Sequence, residues 1–188
     1  MESKAKLLGH AIHPMLIVFP LGLLVTSVVF DVIHLVTNDP MFATVSYWMI
    51  AAGLIGGVLA AIFGLIDWLN IPADTRAKAI GLWHGRGNAA VLVLFAVSWY
   101  MRRDDPAHIP STVAFIFSLV AVGLGTVTSW LGGELVDRLG VGVDRGAHLD
   151  APSSLSGQPA DINLATARRT AQVEVAREEP LRERQVGG

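Results

Sequence analysis

Four long stretches of apolar and almost uncharged sequence constrain this chain more than any other feature: residues 14–36, 44–69, 81–101 and 111–131. A helix needs about 20 mostly apolar residues to cross the hydrocarbon core of a bilayer. Each stretch meets that length, and inside lipid only a helix or a closed barrel satisfies its own backbone polar groups. The sequence therefore predicts an all-α, four-helix transmembrane bundle. An even number of crossings puts the N- and C-termini on the same side. The first stretch is too long for a cleavable signal peptide, lacks a clear small-residue cleavage site and is preceded by two histidines.

Composition agrees. The chain of 188 residues is 52% hydrophobic and 16% charged, with a mean hydropathy of +0.51, whereas soluble domains carry about 25% charge. A net charge of -2 excludes a generally basic nucleic-acid binder. The absence of cysteine excludes disulfides, thiolate chemistry and iron–sulfur clusters held by this chain. Any metal or haem would rest on His, Asp, Glu or Met.

The face that bears both termini carries Lys4, Lys6, Arg76, Lys78, Arg86, Arg138 and Arg145, and the other face carries Arg102 and Arg103 beside Asp104 and Asp105. Excess lysine and arginine marks the cytoplasmic side. The expected location is a bacterial inner membrane, with residues 1–13 as a cytoplasmic segment, 14–144 as the membrane domain and 145–188 as a disordered cytoplasmic tail. The tail is rich in Pro, Ser, Gln, Arg and Glu and has too little apolar surface to fold alone, apart from a transient helix over 164–178.

Small residues mark the expected contact faces between helices. Gly53, Gly57 and Ala61 form one row in the second span, Gly56, Ala60 and Gly64 a second, and Gly125, Ser129 and Gly133 one in the fourth. Small residues also leave clearance for a flat cofactor. Pro20 is expected to kink the first span and free a carbonyl near Leu16.

Because the spans alternate in direction, the polar residues at their ends converge on one face. His10 and His13 enter the first span, Asp67 and Trp68 close the second, His84, Arg86 and Asn88 open the third, and Glu134, Asp137 and Arg138 close the fourth. Ionisable groups at this depth are costly, usually paired, and often functional. His84 and Asn88 lie one turn apart and share a helix face. The candidate metal ligands are His10, His13, Asp67, His84 and Glu134, with Arg86, Asn88 and Arg138 in support. Imidazole with carboxylate suits a divalent metal such as zinc, iron or manganese, and His13 with His84 could ligate haem b on both faces. The same residues could pass protons, or Asp67 and Glu134 could pair with Arg86 and Arg138 and only fix helix register. Trp68, Trp83 and Trp130 fit an interfacial aromatic belt. His34 and His108 lie at the opposite face without companions, which reads as nearly bare.

The motifs His10-Ala-Ile-His13-Pro14-Met-Leu-Ile-Val-Phe19-Pro20, Gly64-Leu-Ile-Asp67-Trp68-Leu-Asn-Ile-Pro72, His84-Gly-Arg-Gly87-Asn88 and Trp130-Leu-Gly132-Gly133-Glu134-Leu-Val, with Gly140-Val-Gly-Val143, resemble the bacterial membrane family called domain of unknown function 2231. The resemblance covers roughly residues 9–144. It implies a four-helix membrane domain, sometimes joined to or near Rieske-type and other redox proteins, and no assigned reaction. Two family positions that often hold Pro and His are Ala11 and Leu139 here, so a histidine ligand before the Gly-Val-Gly-Val run is missing.

Three functions follow as expectations. The first is a haem- or metal-binding module linked to electron transfer, with His13 and His84 as ligands and a redox protein as partner. The second is an accessory subunit of a membrane complex, whose polar ring only holds helices together. The third is a proton or small-solute pathway, disfavoured by the lack of an inverted repeat. A soluble enzyme finds no support, because no phosphate-binding glycine loop or activated nucleophile is present, and Gly85-Arg-Gly-Asn is too short for a dinucleotide motif.

Overall fold

In a computed structural model, residues 1–162 are described. A short antiparallel hairpin, β1 (Lys6–Leu7) and β2 (His10–Ala11), leads into α1 (Ile12–Leu16) and α2 (Val18–Thr37). α3 (Pro40–Leu69), α4 (Arg76–Met101) and α5 (Thr112–Gly133) follow, and a π-helical turn, Glu134–Arg138, extends α5. Four segments are long and apolar enough to cross a membrane: Ile12–Thr37, Pro40–Leu69, Arg76–Met101 and Thr112–Arg138. Little of each is buried inside the protein. In these spans the outward apolar surface is the part that suits lipid, while a thin inward stripe holds the bundle.

Local chemistry sets the ends. The Asp39 side chain accepts from the Met41 N–H at 2.9 Å and Pro40 occupies the first helical turn, so α3 begins four residues earlier than hydropathy suggests. Thr75 accepts from the Lys78 N–H at 3.1 Å, so α4 begins at Arg76 and the preceding connector is only 70–75. Between α1 and α2 the helical ladder runs on through Ile17, which donates to the His13 carbonyl at 3.2 Å and accepts from the Leu21 N–H at 3.1 Å, and the rung that is missing is the one at the Leu16 carbonyl. The cause is Pro20, which has no N–H to offer the Leu16 carbonyl.

Glycines allow the closest approaches. A Cβ at Gly53 would lie 2.7 Å from the Leu24 side chain, one at Gly57 2.5 Å from Leu92, and one at Gly56 3.2 Å from Phe19. The expected rows in the second span are thus contact faces, although Ala61 itself is exposed. The expected row in the fourth span is displaced: Ser129 is exposed, and the inward stripe is Ala121, Gly125, Thr128 and Gly132. At mid-height Leu24, Val28, Ile50, Val91, Phe95 and Ala121 form the apolar core.

These inward stripes carry an internal repeat. An offset of 71 residues takes His13 to His84, Leu24 to Phe95, Ser27 to Ser98 and Asp31 to Arg102, the last three pairs all buried. An offset of 68 takes Ser46 to Ala114, Ile50 to Ser118, Gly53 to Ala121 and Ala60 to Thr128, again all buried. The hairpin α1/α2–α3 and the hairpin α4–α5 thus correspond at these inward positions, and both are entered from the same end. α3 packs on α4 and α2 on α5, so exchanging the halves preserves the packing pattern. The correspondence is parallel, since both halves run in the same order from the same end.

Both ends of the membrane domain meet at one end of the bundle. The Met1 amine donates to the Gly140 carbonyl at 2.7 Å, and the Gly142 N–H donates to the Met1 carbonyl at 2.8 Å. Lys6 pairs with Asp144 and, at 3.1 Å, with Glu2. Residues 145–162 run through turns and a 3₁₀ turn, Ser154–Ser156, with Ser154 Oγ 3.2 Å from His10 Nε2. The helix expected over 164–178 lies outside the described residues.

Candidate functional site

The repeat places one histidine of each half at the same end of the bundle. His13 Nδ1–H donates to the Ala60 carbonyl at 2.8 Å, and its ring lies over Gly64, where a Cβ would come 2.9 Å from Cε1 and Nδ1. His84 Nδ1–H donates to the Thr128 carbonyl at 2.9 Å, and its ring lies over Gly132, where a Cβ would come 3.0 Å from Cε1. Each half uses the same construction: a carbonyl and, four residues on, a glycine in the second helix receive a ring from the first. A carbonyl only accepts, so both Nδ1 atoms carry the proton. In the neutral ring that leaves a lone pair on each Nε2. The ring centroids are 6.3 Å apart and the planes cross at 84°.

The halves differ around this construction. Asn88 stands one turn above His84, and Ile17 takes the equivalent place in the first half. Thr128 Oγ1 donates to Asn88 Oδ1 at 3.1 Å, which turns the amide nitrogen toward the His84 ring. That nitrogen donates to the His84 backbone carbonyl at 2.9 Å and lies 3.3 Å from the ring Nε2 and 3.5 Å from Nδ1. Near-equal distances to both ring nitrogens mean that the amide bears on the ring beside Cε1 or on its face, not end-on at the Nε2 lone pair. Among the described residues no hydrogen bond reaches His13 Nε2.

The other sequence candidates are placed at the same end but are engaged elsewhere. Asp67 accepts from Ser3 Oγ at 2.7 and 2.9 Å and from the Lys4 N–H at 3.0 Å, which fastens the N-terminal segment to α3. Glu134 pairs with Arg76 at 2.5 Å, not with Arg86 or Arg138. Arg86 is exposed beside Trp83, Arg138 is exposed, and His10 is exposed on β2. Among the described residues no three His, Asp or Glu side chains come together as a metal-ligand set. Trp83 and Trp130 are exposed as a belt requires. Trp68 does more: its indole N–H donates to the Lys78 carbonyl at 3.1 Å while Lys78 Nζ donates back to the Trp68 carbonyl at 2.7 Å, closing the 70–75 connector.

The opposite end is not bare. Arg102, expected at the surface, is fully buried with Asp31. The pair is bidentate, Nη1 to Oδ1 at 2.7 Å and Nη2 to Oδ2 at 2.8 Å, and Ser46, Ser98 and Ser118 accept at 3.2, 3.0 and 3.3 Å. Arg102 Nε is a buried donor without a partner among the described residues. His34 is buried, with Nδ1 2.9 Å from the Asp39 carbonyl. His108 stacks on Tyr47 at 3.8 Å, with Nδ1 3.1 Å from the Arg102 carbonyl. Both histidines therefore have companions. The signal for this cluster was the 71-residue spacing of Asp31 and Arg102, which matches that of the two site histidines.

Fold and spans together define a multi-pass, four-helix membrane protein. A family model described as "Predicted membrane protein (DUF2231)" matches residues 9–145, and the chain belongs to that family. Neither a curated protein nor a solved structure matches it.

Proposed function

We propose that this protein is a membrane-embedded module that holds a metal centre between His13 and His84, in the service of electron transfer to or from a partner redox protein. The observation that carries the reading is the paired construction of the two imidazoles. Each is oriented by a backbone carbonyl that holds the proton on Nδ1, the outer-shell arrangement that readies Nε2 as a ligand. A ring centroid lies about 1.1 Å behind its nitrogen, so two imidazoles sharing an ion at about 2.0–2.1 Å place their centroids about 6 Å apart when opposed. The rings stand 6.3 Å apart, close enough to share one ion. A bound centre, haem b or bare ion, would supply the redox chemistry. The chain's own residues orient the donors and keep the site at the end of an apolar bundle. Asp67 and Glu134 serve as fasteners for the N-terminus and the 70–75 connector in this reading, not as ligands.

The lysine and arginine excess at the histidine end supports cytoplasmic termini in a bacterial inner membrane. With Arg102 buried against Asp31, the imbalance between the two surfaces is larger than the sequence alone suggests. A second reading, an accessory subunit of a membrane complex, is favoured by the same engagement of Asp67 and Glu134 in tethering contacts.

The test is an absorption spectrum with elemental analysis on protein purified in mild detergent from its native membrane. The expected result is a Soret band or a near-stoichiometric metal that is lost when either histidine is replaced. A colourless, metal-free, correctly folded protein would leave the accessory reading in place.

A further inference from the structure

The geometry points to a centre that takes two opposed imidazole nitrogens and no other ligand among the described residues, which rests on the reading above and narrows it. Three observations carry this. The donor set stops at two, because Asp67 is bound to Ser3 and the Lys4 amide, Glu134 is bound to Arg76, and no third His, Asp or Glu joins the histidines among the described residues. Each Nδ1–H is directed at a carbonyl of the second helix of its own hairpin, and in an imidazole the Nε2 lone pair points roughly opposite to that bond, away from the carbonyl. The correspondence of the halves pairs the two rings, which stand 6.3 Å apart, so a shared ligand would lie between them. α1, moreover, packs on α3 and α2, while α4 packs on α5 and α3, leaving the His13–His84 junction as the meeting line of the two hairpins.

Zinc and similar divalent ions take three or four protein donors, and those ions that favour oxygen would call on carboxylates. Two opposed nitrogens suit instead a centre that brings its own equatorial donors, the iron of a tetrapyrrole, or a linear ion of softer character, Cu(I). The shared chemistry is axial ligation by a pair of neutral imidazoles. The crossed ring planes, at 84°, are compatible with both because neither ligand requires the planes to be parallel.

The experiment titrates the apoprotein in detergent with hemin, with Cu(I) under a competing chelator, and with Zn(II), one at a time. The variants are His13→Asn and His84→Asn, in which the shorter amide can still donate to the Ala60 or Thr128 carbonyl but has no nitrogen in the Nε2 position. Asp67→Asn and Glu134→Gln serve as comparisons, and circular dichroism checks each fold. The inference expects one equivalent of hemin, with a six-coordinate low-spin spectrum, or one of Cu(I). Either should bind at least tenfold more weakly to each histidine variant and within threefold of the parent for the carboxylate variants. Hemin in one arm and Cu(I) in the other identify the source. Tight binding of Zn(II) alone, or binding that requires Asp67 or Glu134, would overturn this inference while leaving a metal module standing. No binding in any arm would overturn both.

Discussion

Replacing Asp31 by alanine should be the most damaging single change in the bundle. It leaves the Arg102 guanidinium at zero exposure with three serine hydroxyls and no counter-charge, and Nε is already without a partner among the described residues. Removing one member of a buried ion pair typically costs about 3–5 kcal/mol. Interhelical hydrogen bonds in bilayers are worth less, about 0.6 kcal/mol on average, because the separated helices find other partners. The bidentate charge pair here exceeds a single such bond, and the serines retain part of the solvation, so the expected loss is about 3 kcal/mol. That corresponds to roughly a hundredfold in the folded-to-unfolded ratio. Reversible unfolding in mixed detergent–SDS micelles, followed by circular dichroism, measures it. The double variant Asp31→Leu with Arg102→Met should recover at least half of the loss, since an apolar pair of similar volume carries no desolvation cost. The reasoning is refuted if Asp31→Ala lies within about 0.5 kcal/mol of the parent, or if the double variant is no better than the single one.

Gly64→Ala and Gly132→Ala should each displace a site imidazole, because the added Cβ would fall 2.9 or 3.0 Å from the ring; the expected cost is about 1–3 kcal/mol, with weaker ligand binding in the titrations above. Glu134→Gln removes an ion pair whose arginine is 59% exposed, so unfolding should shift by less than about 1 kcal/mol. The N-terminal clamp should respond to pH at both extremes. The Asp144 carboxylate beside Lys6 raises its pKa from 10.5, so that contribution is complete below 10.5 and is lost as pH climbs through the raised value. The Arg145 backbone N–H and Lys6 lower the pKa of Glu2 from 4.5, so its contribution is complete above 4.5 and is lost as pH falls through the lowered value. Proteolysis at Lys6 should therefore be slow between these limits and faster outside them; a rate flat from pH 3 to 11.5, with a protease active throughout, would contradict the clamp.

Hydropathy made the four spans legible because lipid demands length and apolarity, and both are local in sequence. The helix starts were less so: Asp39 and Thr75 cap through side-chain hydrogen bonds that a hydropathy window averages away. The one-face convergence of His13, Asp67, His84 and Glu134 followed from the alternation of the spans. Their partners did not, since Ser3 on Asp67 and Arg76 on Glu134 depend on how the N-terminal hairpin and the 70–75 connector fold back. The Asp31–Arg102 pair was hidden for a different reason. Arg102 falls at the C-terminal end of α4 next to Arg103 and two aspartates, where sequence reads as an exposed cap, and only the rotation of the helix buries it. The repeat was faint because it survives at inward positions alone and its offset changes by three residues between the first and second helices of the halves.

Nitrogen-15 solid-state NMR of histidine-labelled protein in bilayers, without added metal and with His13 and His84 assigned by their asparagine variants, tests the central claim most directly. In the neutral state each ring should carry its proton on Nδ1 and leave Nε2 unprotonated, as the Ala60 and Thr128 carbonyls require. A proton on Nε2 of either ring in that neutral state would mean that the carbonyl contact is not made, and the paired-imidazole site would fall with it.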